Sequence, residues 1–259
     1  MQLLTKLISR AGQPDGKEEV FLFAHLPKTG GQSLRDCFRK HLQFHREFIH
    51  LGPFGDNDGA TLGLAPFEQR PEEERARARV ILGHRVNHQT HLLVPGKVPR
   101  YAIFLREPAE LIVSSYNFEM RYQRAPGEAV VPFDQWYTEG RKRNLMAHWL
   151  LEHFLQRPPS RIDTAAVRAV ETSLKSFWFV GISEYLDRDA PPLLRRIGIT
   201  ATLERANVSG VHHPKLVALD DSLRSTLNGE SDIDMEIYQT WLNRLDRSRK
   251  RIGDDQPGR

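Results

Sequence analysis

Four short apolar runs restrict what this chain can become: Val20–Leu26 (VFLFAHL), Arg79–Gly83 (RVILG), Tyr101–Leu105 (YAIFL) and Phe177–Ile182 (FWFVGI). They are apolar, β-branched or aromatic at most positions, the pattern of a strand buried on both faces. Between and after them lie stretches with helical spacing: Gln32–Leu42, Pro108–Arg121, Asn144–Leu155, Ala165–Lys175 and Asp232–Leu245. Pro108 stands where a first helical turn tolerates proline. Strands alternating with helices predict an α/β fold, with a central, mostly parallel sheet flanked by helices.

Composition supports a packed core. Of 259 residues, 39% are hydrophobic and 9% aromatic, which excludes disorder as the general state. A chain of this length needs neither metal nor disulfide to close its core. Length alone leaves one large domain or two small ones open. Nothing resembles an interdomain linker, so residues 1–259 are read as one domain, with 1–18 and 247–259 as loose ends. The Pro/Gly-rich stretches Leu51–Pro66 and Ala125–Pro132 read as surface loops or lids, and Pro158–Pro159 separates two helices.

Cys37 is the single cysteine and cannot form an intramolecular disulfide, which fits a reducing compartment. The N-terminal apolar stretch is broken by Lys6 and Arg10, unlike a signal peptide. No run approaches the roughly 20 apolar residues of a membrane span, so the expectation is a soluble, cytoplasmic protein. The 37 Lys+Arg against 33 Asp+Glu favour anionic ligands without demanding nucleic acid. The one dense basic run, Arg247–Arg251 (RSRKR), reads as a solvated tail in preference to a nucleic-acid or membrane contact.

The most informative segment is Phe21–Arg35, FLFAHLPKTGGQSLR. An apolar strand ends at Leu26–Pro27, and Lys28-Thr29-Gly30-Gly31 leads straight into a helix. Adjacent glycines permit positive φ and bring amides close to a ligand, while the helix start offers unpaired N–H groups and partial positive charge. With Lys28, Thr29 and Ser33 added, the segment makes an anion cradle. An ordinary tight turn needs the glycines but not those three residues together. A Walker A loop is excluded, because its lysine follows the glycines and here lysine precedes them.

HLPKTGGQSL resembles the 5′-phosphosulfate loop of sulfotransferases that use 3′-phosphoadenosine-5′-phosphosulfate (PAPS), closest to the carbohydrate sulfotransferases. Tyr101–Phe118, YAIFLREPAELIVSSYNF, is similar to the same family's 3′-phosphate motif, a strand ending in an LRDP-like turn before a serine-bearing helix. Arg106 and Ser114, eight residues apart, stand at the family's clamp positions. An arginine at a strand end and a serine about two turns into the next helix can converge on one anion. Phe179–Glu184 looks like the family's late FVG strand, Asp234–Tyr238 (DMEIY) like its terminal helix, and Asn144-Leu145 like the start of a central helix.

The resemblance implies a P-loop-like three-layer fold and sulfuryl transfer from PAPS to an acceptor hydroxyl, releasing PAP, with no metal required. Under it, Lys28 assists the leaving group, and Lys28, Thr29, Gly30, Gly31, Gln32 and Ser33 hold the 5′-phosphate. Arg106 and Ser114 hold the 3′-phosphate, and Lys215, in the Arg205–Lys215 loop, is a second partner for it. Two positions depart from the family pattern: Gln32 replaces a threonine, and Glu107 replaces the aspartate of the LRDP turn.

Leu82-Gly83-His84-Arg85 looks like the GH element of the 2-O-sulfotransferase branch, where histidine is the base. An imidazole titrates near operating pH and suits that role. His84 is therefore the first candidate and His25 the second. His84, His88 and His91 also carry a metal-like spacing, but the segment VNHQTHLLVPG is not a convincing helix and no acidic ligand is fixed nearby, so no metal is assigned. Arg121–Arg124, Arg141–Arg143, Trp136 and Tyr137 are candidates for holding a glycan or sugar-containing acceptor. Relatives acting on long glycans are membrane-anchored, so a bacterial-type enzyme acting on a soluble or lipid-linked precursor is expected. The rival readings are a nucleotide-dependent phosphotransferase and a non-catalytic nucleotide or anion binder.

Overall fold

The structure is a computed structural model that describes residues 18–52, 63–123, 127–140, 142–158, 161–203 and 216–253, with 123 and 248–253 as backbone only. Five strands, β1 (Glu19–Ala24), β2 (Phe48–His50), β3 (Val80–Gly83), β4 (Val98–Leu105) and β5 (Phe179–Ile182), form a sheet in the order β2-β3-β1-β4-β5. Every pairing in it is parallel. The helices are α1 (Gly31–His41), α2 (Leu64–Glu68), α3 (Glu72–Arg75), α4 (Pro108–Phe118), α5 (Phe133–Thr138), α6 (Leu145–Trp149), α7 (Thr164–Ser176), α8 (Leu186–Ile197), α9 (Asp221–Glu230) and α10 (Asp232–Gly253). π-Helical turns at Glu119–Gln123 and Leu150–Phe154 extend α4 and α6.

Side chains alternate across the sheet with period two. Val20, Leu22, Ile49, Ile81, Ile103 and Ile182 enter one core with α6, α7 and α10. Phe21, Phe23, Phe48, Leu82, Phe104 and Phe179 enter a second core with α1 and α8. Burial on both faces explains the unbroken apolar runs and gives three layers. The helix after β1 packs on one face, while α4, after β4, joins the opposite core through Leu111. The winding therefore reverses between neighbouring strands β1 and β4, and in open α/β sheets ligands bind outside the carboxyl ends of strands at such a point.

Several elements differ from expectation. The sheet is parallel throughout, and its edge strand β2 was not anticipated, having only three residues. Leu51 is fully buried core instead of loop: its N–H bonds the Leu82 carbonyl at 2.8 Å. A Cβ at Gly83 would collide with the Leu51 carbonyl, so only glycine allows this approach. Helix α8 forms despite Pro191 and Pro192, because Leu186, Ala190, Leu193, Leu194 and Ile197 bury one face against the sheet. The presumed loose end from 247 continues α10 as far as Gly253. Residues 1–17 and 254–259 lie outside the described residues.

Two of the family-like segments turn out to be partners. The Asp234 carboxylate, at the start of α10, accepts the N–H groups of Met146 and Ala147 at 2.8 Å each, capping α6 from another helix. In return Asn144, in a left-handed conformation (φ 54°), accepts the Asp234 N–H at 3.0 Å. Burial pushes Asp234 up to about 7, against the pull of those two amide bonds.

Candidate functional site

Strand register assembles the site. β1 and β3 pair as far as Ala24 against Gly83, so the next residues, His25 and His84, emerge side by side. β4 flanks β1 on its other side and delivers Arg106 beside Lys28. β5 pairs with β4 as far as Leu105 against Ile182, which sets Glu107 beside Glu184. Four neighbouring strands thus end in one row of polar residues.

The turn after β1 is held in a conformation its sequence does not favour. Lys28 has φ 66°, a left-handed geometry uncommon outside glycine, and Gly30 has φ 87°. The Thr29 hydroxyl donates to the Leu26 carbonyl at 2.7 Å, which closes the turn and directs its proton away from a ligand. At Gly31 a Cβ would fall inside the His25 ring, so the second glycine is required by close approach. Helix α1 then starts with no side-chain cap and no acidic residue in its first turn, leaving its leading N–H groups for an anion. Ser33 is buried within that turn, and Gln32 points along the helix to Asp36, with its Nε2 2.9 Å from Oδ1.

The Lys28 ammonium lies 4.1 Å from the Phe118 ring centroid. Burial, and secondarily the Arg106 charge, lowers its pKa to about 8. Arg106 donates through Nη1 to the Lys28 carbonyl at 2.7 Å and through Nη2 to Glu110 at 3.2 Å. Arg224, on α9, pairs with both Glu107 and Glu110. Asn228 donates to Glu107 at 2.8 Å, so the Glu107 carboxylate ties the turn to α9. The Glu107 N–H donates to Glu184, whose other carboxylate oxygen is buried without a hydrogen-bond partner and whose pKa burial raises. Ser114 is partly buried one turn beyond Glu110 and one turn before Phe118, on the helix face that Lys28 covers.

The His25 and His84 rings stack, with centroids 4.2 Å apart and planes at 18°. His84 Nδ1 lies 2.7 Å from the His25 carbonyl. A carbonyl only accepts, so Nδ1 carries the proton and Nε2 keeps its lone pair. Burial lowers the His84 pKa, opposed by that carbonyl bond, and the imidazole is neutral at neutral pH. His25 is held well below the ordinary imidazole value, first by burial and then by the His84, His50, Arg35 and Lys28 charges. Its Nδ1 is buried without a partner.

The structure does not gather His84, His88 and His91 round one point: His88 Nδ1 bonds the Phe154 carbonyl at 2.9 Å, and His91 Nδ1 lies 3.1 Å from the Tyr101 hydroxyl. No cluster of three or more metal-ligating side chains occurs among the described residues. Trp136 is 5% exposed and packs with Tyr116, so it is core and not a stacking surface for a sugar. Arg143 pairs with Glu230 at 3.1 Å. Lys215, Arg124 and Arg141 lie outside the described residues. Sequence reasoning missed Glu110, Glu184, Arg224, Asn228 and the exposed, touching pair Phe118 and Tyr122. The one available signal was Asp220, a good N-cap residue, whose carboxylate receives the Leu223 N–H at the start of α9.

No protein-family model matches the chain, and no curated protein does. Among solved structures it is similar to the crystal structure of a sulfotransferase from Alicyclobacillus acidocaldarius, at 15% identity and a TM-score of 0.45, over 84% of this chain and 92% of that one. A likeness at that level bears on neither the site nor the reaction.

Proposed function

We propose that this chain is a sulfotransferase that moves the sulfuryl group of PAPS to a hydroxyl of a carbohydrate-type acceptor and releases PAP. The observation that carries the reading is the convergence of an uncapped helix start, Lys28, Arg106 and the His84 imidazole at the carboxyl ends of neighbouring strands. The residues present fit a phosphosulfate: the uncapped α1 amides would hold its 5′ end, with Ser33 in the same turn, and Arg106 keeps further N–H groups for a 3′-phosphate. PAPS supplies the activated sulfur–oxygen bond. Lys28 meets the negative charge left on the departing phosphate oxygen, and its depressed pKa suits it to give a proton there. His84 Nε2 takes the proton of the acceptor hydroxyl as the new sulfur–oxygen bond forms.

His25 is a weaker candidate for that proton, because its ring is wedged between His84 and Gly31. Lys215 remains a proposed further contact to the 3′-phosphate, and residues 1–259 are proposed to act as one domain. No described helix is long and apolar enough to cross a membrane. A cytoplasmic, bacterial-type enzyme acting on a soluble or lipid-linked precursor is the setting we propose.

Calorimetric titration with PAP and with ADP tests the donor class. The native protein is expected to prefer PAP, and Arg106→Ala to lose that preference. Equal or absent binding of both nucleotides to the native protein would refute the reading.

A further inference from the structure

Arg106 sits at the 3′-anion clamp in the reading above, yet its shortest contact is with backbone. Nη1 donates at 2.7 Å to the carbonyl of Lys28, the residue that the turn holds at φ 66°. A left-handed lysine turns its carbonyl away from the course an extended or helical residue would give it. Such a geometry persists only where surrounding groups over-determine it. The Thr29 hydroxyl fixes the turn on one side through Leu26, and Arg106 fixes it on the other. Glu110 restrains Arg106 in turn, and Arg224 holds Glu110 at 2.9 Å.

We propose that Arg106 is a positioning residue for Lys28 as well as an anion ligand, so that recognition of the donor's 3′ end sets the geometry of the lysine at its 5′ end. The inference rests on the sulfotransferase reading for its chemistry, while the link itself lies between two residues of this chain. An anion drawn to the guanidinium acts on the same group that fixes the Lys28 backbone. Donors lacking a 3′-phosphate are therefore discriminated in turnover, not in affinity alone. Ser115, on the same helix, donates its hydroxyl to the Leu111 carbonyl at 2.7 Å and not to that carbonyl, so it serves as the control.

Two measurements separate this link from simple anion binding. The first is the Lys28 carbonyl carbon resonance in ligand-free protein, compared among native, Arg106→Gln and Ser115→Ala. The second is kcat and donor KM for the same three proteins. Arg106→Gln is expected to shift the Lys28 carbonyl resonance and to lower kcat on the order of 10²-fold at saturating PAPS, the scale of a misplaced catalytic group. Ser115→Ala is expected to leave the resonance, KM and kcat near native. Arg106→Lys, which can offer one N–H to the carbonyl, should fall between native and Arg106→Gln, and it carries the comparison if the glutamine variant fails to fold. An unmoved Lys28 resonance in the Arg106 variants, or a raised KM with unchanged kcat, would overturn the proposal. If the native protein turns over no PAPS while the resonance shifts, the link stands and the donor assignment fails.

Discussion

At the end of the sheet where the strands begin, charges meet countercharges. Glu19, the first residue of β1, receives Arg100 at 2.7 Å and Arg196 at 2.9 Å, while Arg79 reaches Glu47 at 3.2 Å and the last carbonyl of α8, at Ile197, at 2.7 Å. Where the strands finish, Lys28 rests on an aromatic ring in a disfavoured backbone conformation, and both His25 Nδ1 and Glu184 Oε2 are buried without partners. The same strands thus carry an end of paired charges and a frustrated end. The contrast teaches that the first supplies the rigidity that holds the second.

The comparison can be broken from either side. His84→Ala should lower turnover by roughly 10²–10⁴ while PAP binding and melting temperature stay near native. Retained turnover, read with saturating PAPS, would move the base to another residue, with His25 tested next. At the opposite end, Glu19→Ala leaves two arginines without their carboxylate and should cost about 3 kcal/mol in chemical denaturation, with kcat of the folded fraction unchanged. A loss of kcat there would show that the two ends are not separable.

Smaller effects sharpen the contrast. Lys28→Gly removes the conformational strain and gives up a cation–π contact, so it should gain about 1 kcal/mol of stability while losing turnover. A destabilised Lys28→Gly would show that the turn is not strained. The pH profile of kcat/KM should have an acid limb below 6.5, from the lowered His84, and an alkaline limb near 8, from Lys28. His25 and His84 are depressed in the folded state, so unfolding takes up protons below 6.5. Their contribution to stability is present above 6.5 and declines as pH falls towards their folded values. Asp234 acts in the opposite sense: with its pKa raised to about 7, its contribution falls as pH rises from 3.8 to 7. Urea titrations of Asp234→Asn across that interval isolate the histidine slope.

Strands buried on both faces were legible because every second side chain entered a different core, leaving no polar interruption within β1, β3 or the end of β4. β2 escaped because three residues are too few to show a period. α8 escaped because local proline preference was outweighed by a buried face that no local window registers. The strand–turn–helix around Lys28 was readable since its glycines and lysine are contiguous. The Arg106–Glu110–Arg224 bridge was not, because its members come from segments 114 residues apart that only folding brings together. Thr29 shows the limit of residue type: a hydroxyl suited to an anion is turned instead to close its own loop.

The caps exchanged between Asn144 and Asp234 also set an order of events during synthesis. The amides of Met146 and Ala147 have their acceptor nearly ninety positions downstream, so a nascent chain halted before Asp234 carries the opening turn of α6 with those amides bonded only to water. The apolar residues of α6 share one core with β1, β4 and with Ile237 and Tyr238 of α10. Docking of α10 is therefore the step that locks the sheet's helical cover on one side, and a ribosome-stalled intermediate would present that side to chaperones until it occurs.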